Sequence, residues 1–442
     1  MTVPDAAVAP PPNDRMLRLV RAAMTLPARV RGPLGSTLLR VRHPTPRLMA
    51  FMVSPEVRSD PWALYRDLRS RYPLRRVPPG LWLVSRHADA AMLARHPHLS
   101  VDETKSRLFG NVGGGGPFTE FVRAIMLFRD PPDHDRLRRL VARAFIPRRV
   151  EELRPQVEAL TARRLDALEA RGRADLLAEL AYPLPVDVIC EMIGVPEADR
   201  ALFPAWAGSL AARFDLEPLR TPEIDRRGDE AIGELGAYID GLIDDTSRRK
   251  PAGVLDTLVA TSEEGDRLTR QEVITTCGLL LMAGHETTAN LIANGVLALL
   301  GQPDELAALR AGDVPIELAV DELLRHDGPV QLVQRVVLED LDVNGTTIPA
   351  GDQMVLLFGA ANRDPDVFHD PERLDLSRHP NPHLAFSSGI HACLGASLAR
   401  MEAAVVLRQL LDRFPKLRLD GHPRWRDTFV LRGLRSLPVT WD

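Results

Sequence analysis

Cysteine is scarce in this 442-residue chain: Cys190, Cys277 and Cys393 are the only three, and no two lie close together. That excludes a disulfide framework and a zinc site built from paired cysteines. It fits a reducing compartment, so a cytoplasmic protein is expected. Charge of one sign is also lacking. A net charge of -4 gives no reason to expect nucleic acid or an anionic membrane as partner. Long hydrophobic runs are missing too. The most apolar stretch, 277–283, is interrupted by Gly284, His285 and Glu286, far short of the ~20 residues of a transmembrane helix. The first dozen residues hold Asp5 and several prolines and lack the apolar core of a secretory signal. With 45% hydrophobic and 26% charged residues, the composition is that of a globular protein, and a monomer is expected.

Two regions differ in character. Residues 1–45 form a basic N-terminal extension, with Arg15, Arg18, Arg21, Arg29, Arg31, Arg40 and Arg42 against Asp5 and Asp14. Its prolines and glycines break any amphipathic helix early, so an arm or packing extension is expected rather than a membrane anchor. Residues 46–442 read as one domain. Helical periodicity appears at 133–145, 150–171, 185–193 and 229–248. Short strands are expected at 81–85, 335–338 and 354–357. Residues 102–117 read as a loop, and the glycine run Gly113–Gly116 within it lacks the Gly-Lys-Ser/Thr ending of a phosphate loop. The clearest helix opens on the capping box Thr269-Arg270-Gln271-Glu272 and closes at Gly301 and Pro303. A helix of roughly 45 Å, apolar nearly all round, must cross the centre of one large domain. Pro315 fits the first position of a helix reaching Arg325, and 394–414 a last helix.

Four constellations carry chemistry. In Phe386-Ser387-Ser388-Gly389-Ile390-His391-Ala392-Cys393-Leu394-Gly395, glycines flank a cysteine just before a helix. Backbone N–H groups and the helix start favour a thiolate there, which suits a nucleophile, a redox centre or a metal ligand; a buried structural cysteine is the plainer alternative. Glu322 and Arg325 form an i,i+3 pair of a kind common on solvated helices. Ala283-Gly284-His285-Glu286-Thr287-Thr288 places polar and small residues inside the long apolar helix, at a cost in helix propensity. The zincin-like start His285-Glu286 fails, because position 289 is Ala. Finally, His134 and Arg138 lie at i,i+4 and can reach one anionic group.

Together, and in this order, these motifs resemble the cytochrome P-450 family over roughly residues 45–442. The cysteine loop is similar to Phe-Gly-x-Gly-x-His-x-Cys-x-Gly, with Ser387 where glycine is usual. Glu322 and Arg325 match the Glu-x-x-Arg pair, and Arg373 its expected third member, although Leu374 stands where Phe is usual. The resemblance implies a mainly α, triangular fold with a small β subdomain. It implies haem b (iron protoporphyrin IX) with Cys393 as axial ligand, and His134, Arg138, Arg335 and His391 on the haem propionates. Glu286 and Thr287 would relay protons to the distal oxygen. The implied reaction inserts one oxygen atom of O2 into a hydrophobic small molecule, with electrons from a separate ferredoxin and ferredoxin reductase. Leu279, Met282, Ala283, Leu332, Val333, Val430 and Leu431 would line the substrate pocket. Two rivals stand beside this reading. One is a hydrogen peroxide-dependent peroxygenase, disfavoured by the Glu286-Thr287 pair. The other is a non-catalytic haem-binding relative, disfavoured by the retained Cys393.

Overall fold

The computed structural model describes residues 31, 34, 38, 50–77, 79–108, 115–214, 221–245, 247–248, 253–260, 262–263 and 266–442. The basic extension therefore lies almost wholly outside the described residues, as do Gly113 and Gly114. The architecture is mainly helical with small sheets, as expected. Its axis is the helix Arg270–Leu300, the central helix hereafter. The capping box forms: Thr269 Oγ1 accepts the Glu272 N–H at 3.2 Å, and Glu272 Oε2 accepts the Thr269 N–H at 2.8 Å. Around the central helix pack Pro183–Ile193, Phe203–Ala212, Pro222–Asp244, Ile316–Asp327 and Ala396–Arg413. Their apolar faces merge into the main core, which includes Leu281, Ile292 and Val296 from the central helix itself. Gly284 does not open this helix, which runs unbroken through 283–288. A Cβ there would fall 2.8 Å from Ile189 Cδ1, so the helix Pro183–Ile193 packs closely against this point and a larger residue would push that methyl aside.

One sheet flanks the helical body. Its strands are β1 (Leu74–Val77), β2 (Leu81–Val84), β3 (Leu99–Ser100), β4 (Val333–Val337) and β5 (Gln353–Leu356), in the spatial order β1-β2-β5-β4-β3. All pairs are antiparallel except β2 with β5. The β5–β4 register sets Met354 opposite Arg335, which fixes where that arginine leaves the sheet. Boundaries expected from periodicity shift by a few residues. The last helix begins at Ala396, Pro315 is the N-cap rather than the first helical residue, and 103–105 form a short 3-10 turn inside the expected loop. Among the described residues no helix is long and apolar enough to cross a membrane.

The Glu322–Arg325 pair is buried rather than solvated. Arg325 donates to both carboxylate oxygens of Glu322 at 2.7 Å and to the carbonyls of Asn362, Pro371 and Arg373. Glu322 also accepts from the Asp375 N–H, from Asn381 Nδ2 and from Arg378 Nε, the last at 3.1 Å. Arg378, not Arg373, is thus the third member of the cluster. Arg373 lends only its carbonyl, while its own guanidinium lies 3.6 Å from Glu305. The meander turns at 375–378, and that turn, rather than the order of residues along the chain, decides which cation faces inward.

Candidate active site

The cysteine loop is built by backbone conformation. Ser387 and Gly389 both adopt positive φ, +59° and +78°, before a 3-10 turn at Gly389–His391. A Cβ on Gly389 would sit 3.1 Å from the Arg95 Cα, so glycine is needed there twice over. The Cys393 N–H donates to the Phe386 carbonyl at 2.9 Å, and Gly395 caps the helix that follows. Cys393 presents an exposed surface, whereas Cys190 and Cys277 are buried. Its sulfur accepts the Gly395 N–H, and the Arg138 and Arg400 charges also favour a thiolate. The protein packed round the sulfur works against them and raises the thiol, although one edge of the residue stays open. The loop thus supplies the N–H donor expected to favour a thiolate, and a metal ion binding there would complete the deprotonation of the sulfur.

Four cationic or ionisable side chains gather beside this loop. His134, buried on the helix Asp133–Ala142, has its ring centroid 4.2 Å from that of His391. Arg138, one turn on, donates to the Ala392 carbonyl at 2.8 Å. Arg335 is buried on β4 and, among the described residues, donates to the Gln334 carbonyl at 2.8 Å. Burial lowers Arg335 to about 10, a large shift for a guanidinium. His391 falls to about 3, through burial first and then the nearby His134, Arg335 and Arg138. Among the described residues neither Arg138 nor Arg335 meets a carboxylate. Asp130, which faces this group, is held by Lys105, Ser100 and the Val101 N–H. Buried like charges without a counter-charge are costly, so the cluster suits a ligand bringing two carboxylates of its own. The residues present thus fit a haem.

The central helix presents its polar segment in two directions. Ala283 is exposed, and Thr287, one turn later, is half-exposed, with Met282, His285, Glu286 and Thr288 buried beside them. Thr287 Oγ1 donates to the Ala283 carbonyl at 2.7 Å, which leaves its lone pairs toward the open face. Glu286 is turned elsewhere, into a buried ion pair with Arg426 from the C-terminal segment. Local sequence patterns missed both Arg426 and Tyr182, whose ring Arg426 covers at 5.6 Å. No spacing rule links positions so far apart. Of the expected pocket residues, Ala283 is exposed and Val333, Val430 and Leu431 are half-buried. Leu279 and Met282 lie in the main core, and Leu332 packs in a smaller cluster with Leu64 and Tyr65.

An exposed cysteine beside two arginines and two histidines, in a helical body crossed by one long helix, is an arrangement that a haem would fit. Comparison with known proteins agrees. The cytochrome P450 family model, here written P-450, matches residues 223–312 and 316–427. The chain is 43% identical over 397 residues to the cytochrome P-450 monooxygenase PikC of Streptomyces venezuelae, covering 87% of this chain and 91% of that one. It is 40% identical over 389 residues to the vitamin D(3) 25-hydroxylase of Pseudonocardia autotrophica, covering 86% and 94%. The crystal structure of P-450BioI with an acyl carrier protein ligated to hexadec-9Z-enoic acid superposes with a TM-score of 0.82 at 37% identity, over 88% of this chain and 99% of that one. The chain belongs to the cytochrome P-450 family. It is a haem-dependent monooxygenase, served like its relatives by redox partners.

Proposed function

We propose that this enzyme, a single domain over residues 46–442 in the cytoplasm, hydroxylates or epoxidises a hydrophobic small molecule with O2, using electrons from a ferredoxin and its reductase. The cofactor in this reading is haem b. Cys393 ligates its iron, and His134, Arg138, Arg335 and His391 hold its propionates. Bound there, the haem supplies the oxygen-activating chemistry. The chain's own residues do the rest. Four donors orient the ring by charge-assisted hydrogen bonds. The exposed face at Ala283 and Thr287 leaves room for substrate and for the oxygen. Thr287 Oγ1, whose own proton is given to the Ala283 carbonyl, accepts from a proton-bearing water at that face, and Glu286 resupplies the proton. The single observation that carries this reading is the cluster of Arg138, Arg335 and His391 beside Cys393, in which neither arginine pairs with a carboxylate among the described residues.

The substrate class follows from chemistry and kinship. Leu279, Met282, Ala283, Leu332, Val333, Val430 and Leu431 bring no charge to the pocket, which suits an apolar ligand. Relatives named for vitamin D(3) and for a hexadecenoic acyl chain act on, or hold, molecules of that kind. The test is the absorbance spectrum of the reduced, carbon monoxide-bound holoenzyme. A red-shifted thiolate band that disappears in Cys393→Ser is expected. If the serine variant kept both band and turnover, the axial assignment would be wrong.

A further inference from the structure

Two neighbouring residues on one helix serve different ends. Glu322 turns into the meander, whereas Asp321, one position earlier on Ile316–Asp327, faces the cysteine loop. Its Oδ1 accepts from Arg400 Nε at 2.7 Å, and Arg400 stands in the second turn of the helix that follows Cys393. The same oxygen lies 3.2 Å from His383 Nε2. His383 Nδ1 accepts the Ala385 N–H at 3.3 Å, so the ring proton sits on Nε2 and is donated to Asp321. Both donors lie against Phe386. The guanidinium carbon of Arg400 is 4.5 Å from the Phe386 ring centroid, and the His383 centroid is 6.0 Å from it. Phe386 is the residue whose carbonyl accepts the Cys393 N–H. Against the burial that raises the Cys393 thiol, the Arg400 charge favours the thiolate.

An arginine in this place needs a tether. Its side chain is 39% exposed, and the pull of a ring face at such a site is weaker than the rotamer entropy an arginine loses on being fixed. The bond to Asp321 makes up the difference, and His383, whose side chain is 3% exposed, fixes Asp321 in turn. We propose that Asp321 is a positioning residue for reduction of the enzyme: it holds Arg400 over Phe386, where the guanidinium charge favours the reduced form of the Cys393-bound haem. This rests on the reading that Cys393 ligates the iron. Reduction adds one electron, taken from the redox partner, to a centre that already bears the thiolate charge, and a fixed cation close by lowers the electrostatic cost. No proton moves among these residues. The sign of the effect separates position from charge. A carboxylate by itself opposes reduction, so removing its charge alone should make reduction easier, whereas removing a tether should make it harder.

The measurement is the reduction potential of the holoenzyme, titrated with mediator dyes without its redox partner and with imidazole on the iron, so that all variants share one ligand state. Arg400→Met should lower the ferrous-to-ferric ratio at a fixed ambient potential by about tenfold, which is 59 mV for one electron. Asp321→Ala should lower it in the same direction, by about threefold to fivefold. The double variant should fall no further than Arg400→Met, because a tether without its load does nothing. Asp321→Asn keeps an oxygen that accepts from Arg400, and should stay at or above the wild-type ratio. A ratio that rises in Asp321→Ala, or additive falls in the double variant, overturns the positioning role. An unchanged ratio in Arg400→Met overturns the inference as a whole. Should Arg400→Met lose its haem, Asp321→Ala against Asp321→Asn decides alone: a fall in the first without one in the second is expected, and equal ratios overturn it. The carbon monoxide band of the same samples keeps the two readings apart. If wild type lacks the thiolate band, the axial assignment fails and takes this inference with it. With that band present, an unmoved potential counts against Asp321 and Arg400 alone.

Discussion

The cluster around Glu322 and the cluster around Arg335 are both buried and both charged, yet only the first is neutralised from within. Glu322 receives bonds from Arg325, Arg378, Asn381 and the Asp375 backbone, and every contact closes inside the chain. Arg335, Arg138 and His391 gather with only Asp130 facing them among the described residues, and that carboxylate is already held by Lys105, Ser100 and the Val101 N–H. The lesson is that burial of charge means two different things here. A cluster satisfied from within fixes a scaffold, and one left positive describes the shape and charge of a missing ligand. In a medium of low dielectric, the first costs stability when cut and the second costs stability until filled.

Cutting the Glu322 cluster gives the largest expected effect. Arg325→Ala leaves a buried carboxylate with part of its partners gone, and should destabilise the holoenzyme by about 3–5 kcal/mol in urea unfolding. A loss below about 1 kcal/mol would mean that the two clusters do not differ as described. Next comes acid. His326, packed against Arg363 and Arg325 beside the same network, is pushed down to about 3 by burial and then by those two charges. The unfolded chain takes up a proton on this residue near pH 6.5, whereas the folded chain refuses it until about 3. Between those values the unfolded state binds more protons, so stability is fully present above about 6.5 and is lost as pH falls toward 3. His326→Gln should remove one proton's slope from that window, about 1.4 kcal/mol per pH unit. An identical slope in both proteins would show that some other group carries the acid sensitivity.

How much of this was legible beforehand depended on sequence distance. The capping box at Thr269 and Glu272 spans three residues, so local spacing contained it in full. His134 and Arg138 stand one helical turn apart, and the helix forms as the pattern demands. The third member of the Glu322 cluster was misread, because Arg373 and Arg378 are equally plausible until the path of the meander is known. Gly284 stood out only as a small residue in the polar segment of the central helix, and the neighbour it packs against, Ile189, lies on another helix. Arg426 lies 140 positions beyond Glu286 in an unremarkable C-terminal stretch, and only the fold brings them together. Sequence patterns reveal which residues are chemically able; packing decides what they touch.

Filling the second cluster is the sharper test of the comparison. Arg335→Met removes a buried cation that, among the described residues, pairs with no carboxylate, at similar volume. The haem-free protein should unfold at the same or higher urea concentration. The holoenzyme should lose a charge-assisted bond of about 1.5–3 kcal/mol, seen as faster haem transfer to an acceptor protein. Opposite signs in the two forms are the expected outcome. Destabilisation of both would place Arg335 in the scaffold, alongside Arg325.

The smallest effect separates the loop from both clusters. Ser387 stands where relatives of the motif use glycine, and its φ of +59° lies in the left-handed region. For a residue with a Cβ that conformation costs roughly 1–2 kcal/mol. Asn and Asp offset part of this through local hydrogen bonds, but the Ser387 hydroxyl finds no partner, so nothing repays the strain. Ser387→Gly therefore relieves strain in the folded loop, while added freedom in the unfolded chain takes back part of the gain, about 0.4–1 kcal/mol. The net expectation is a stabilisation of about 0.5–1 kcal/mol, read as a rise in the urea midpoint with an unchanged slope. The thiolate band should keep its position, since glycine adopts the same φ at 387 and so leaves the Phe386 carbonyl in place, and the Gly395 N–H lies beyond the substituted residue. A lowered midpoint would show that the hydroxyl makes a contact worth more than the strain, and a moved band would show that the turn at 387 helps to aim the sulfur.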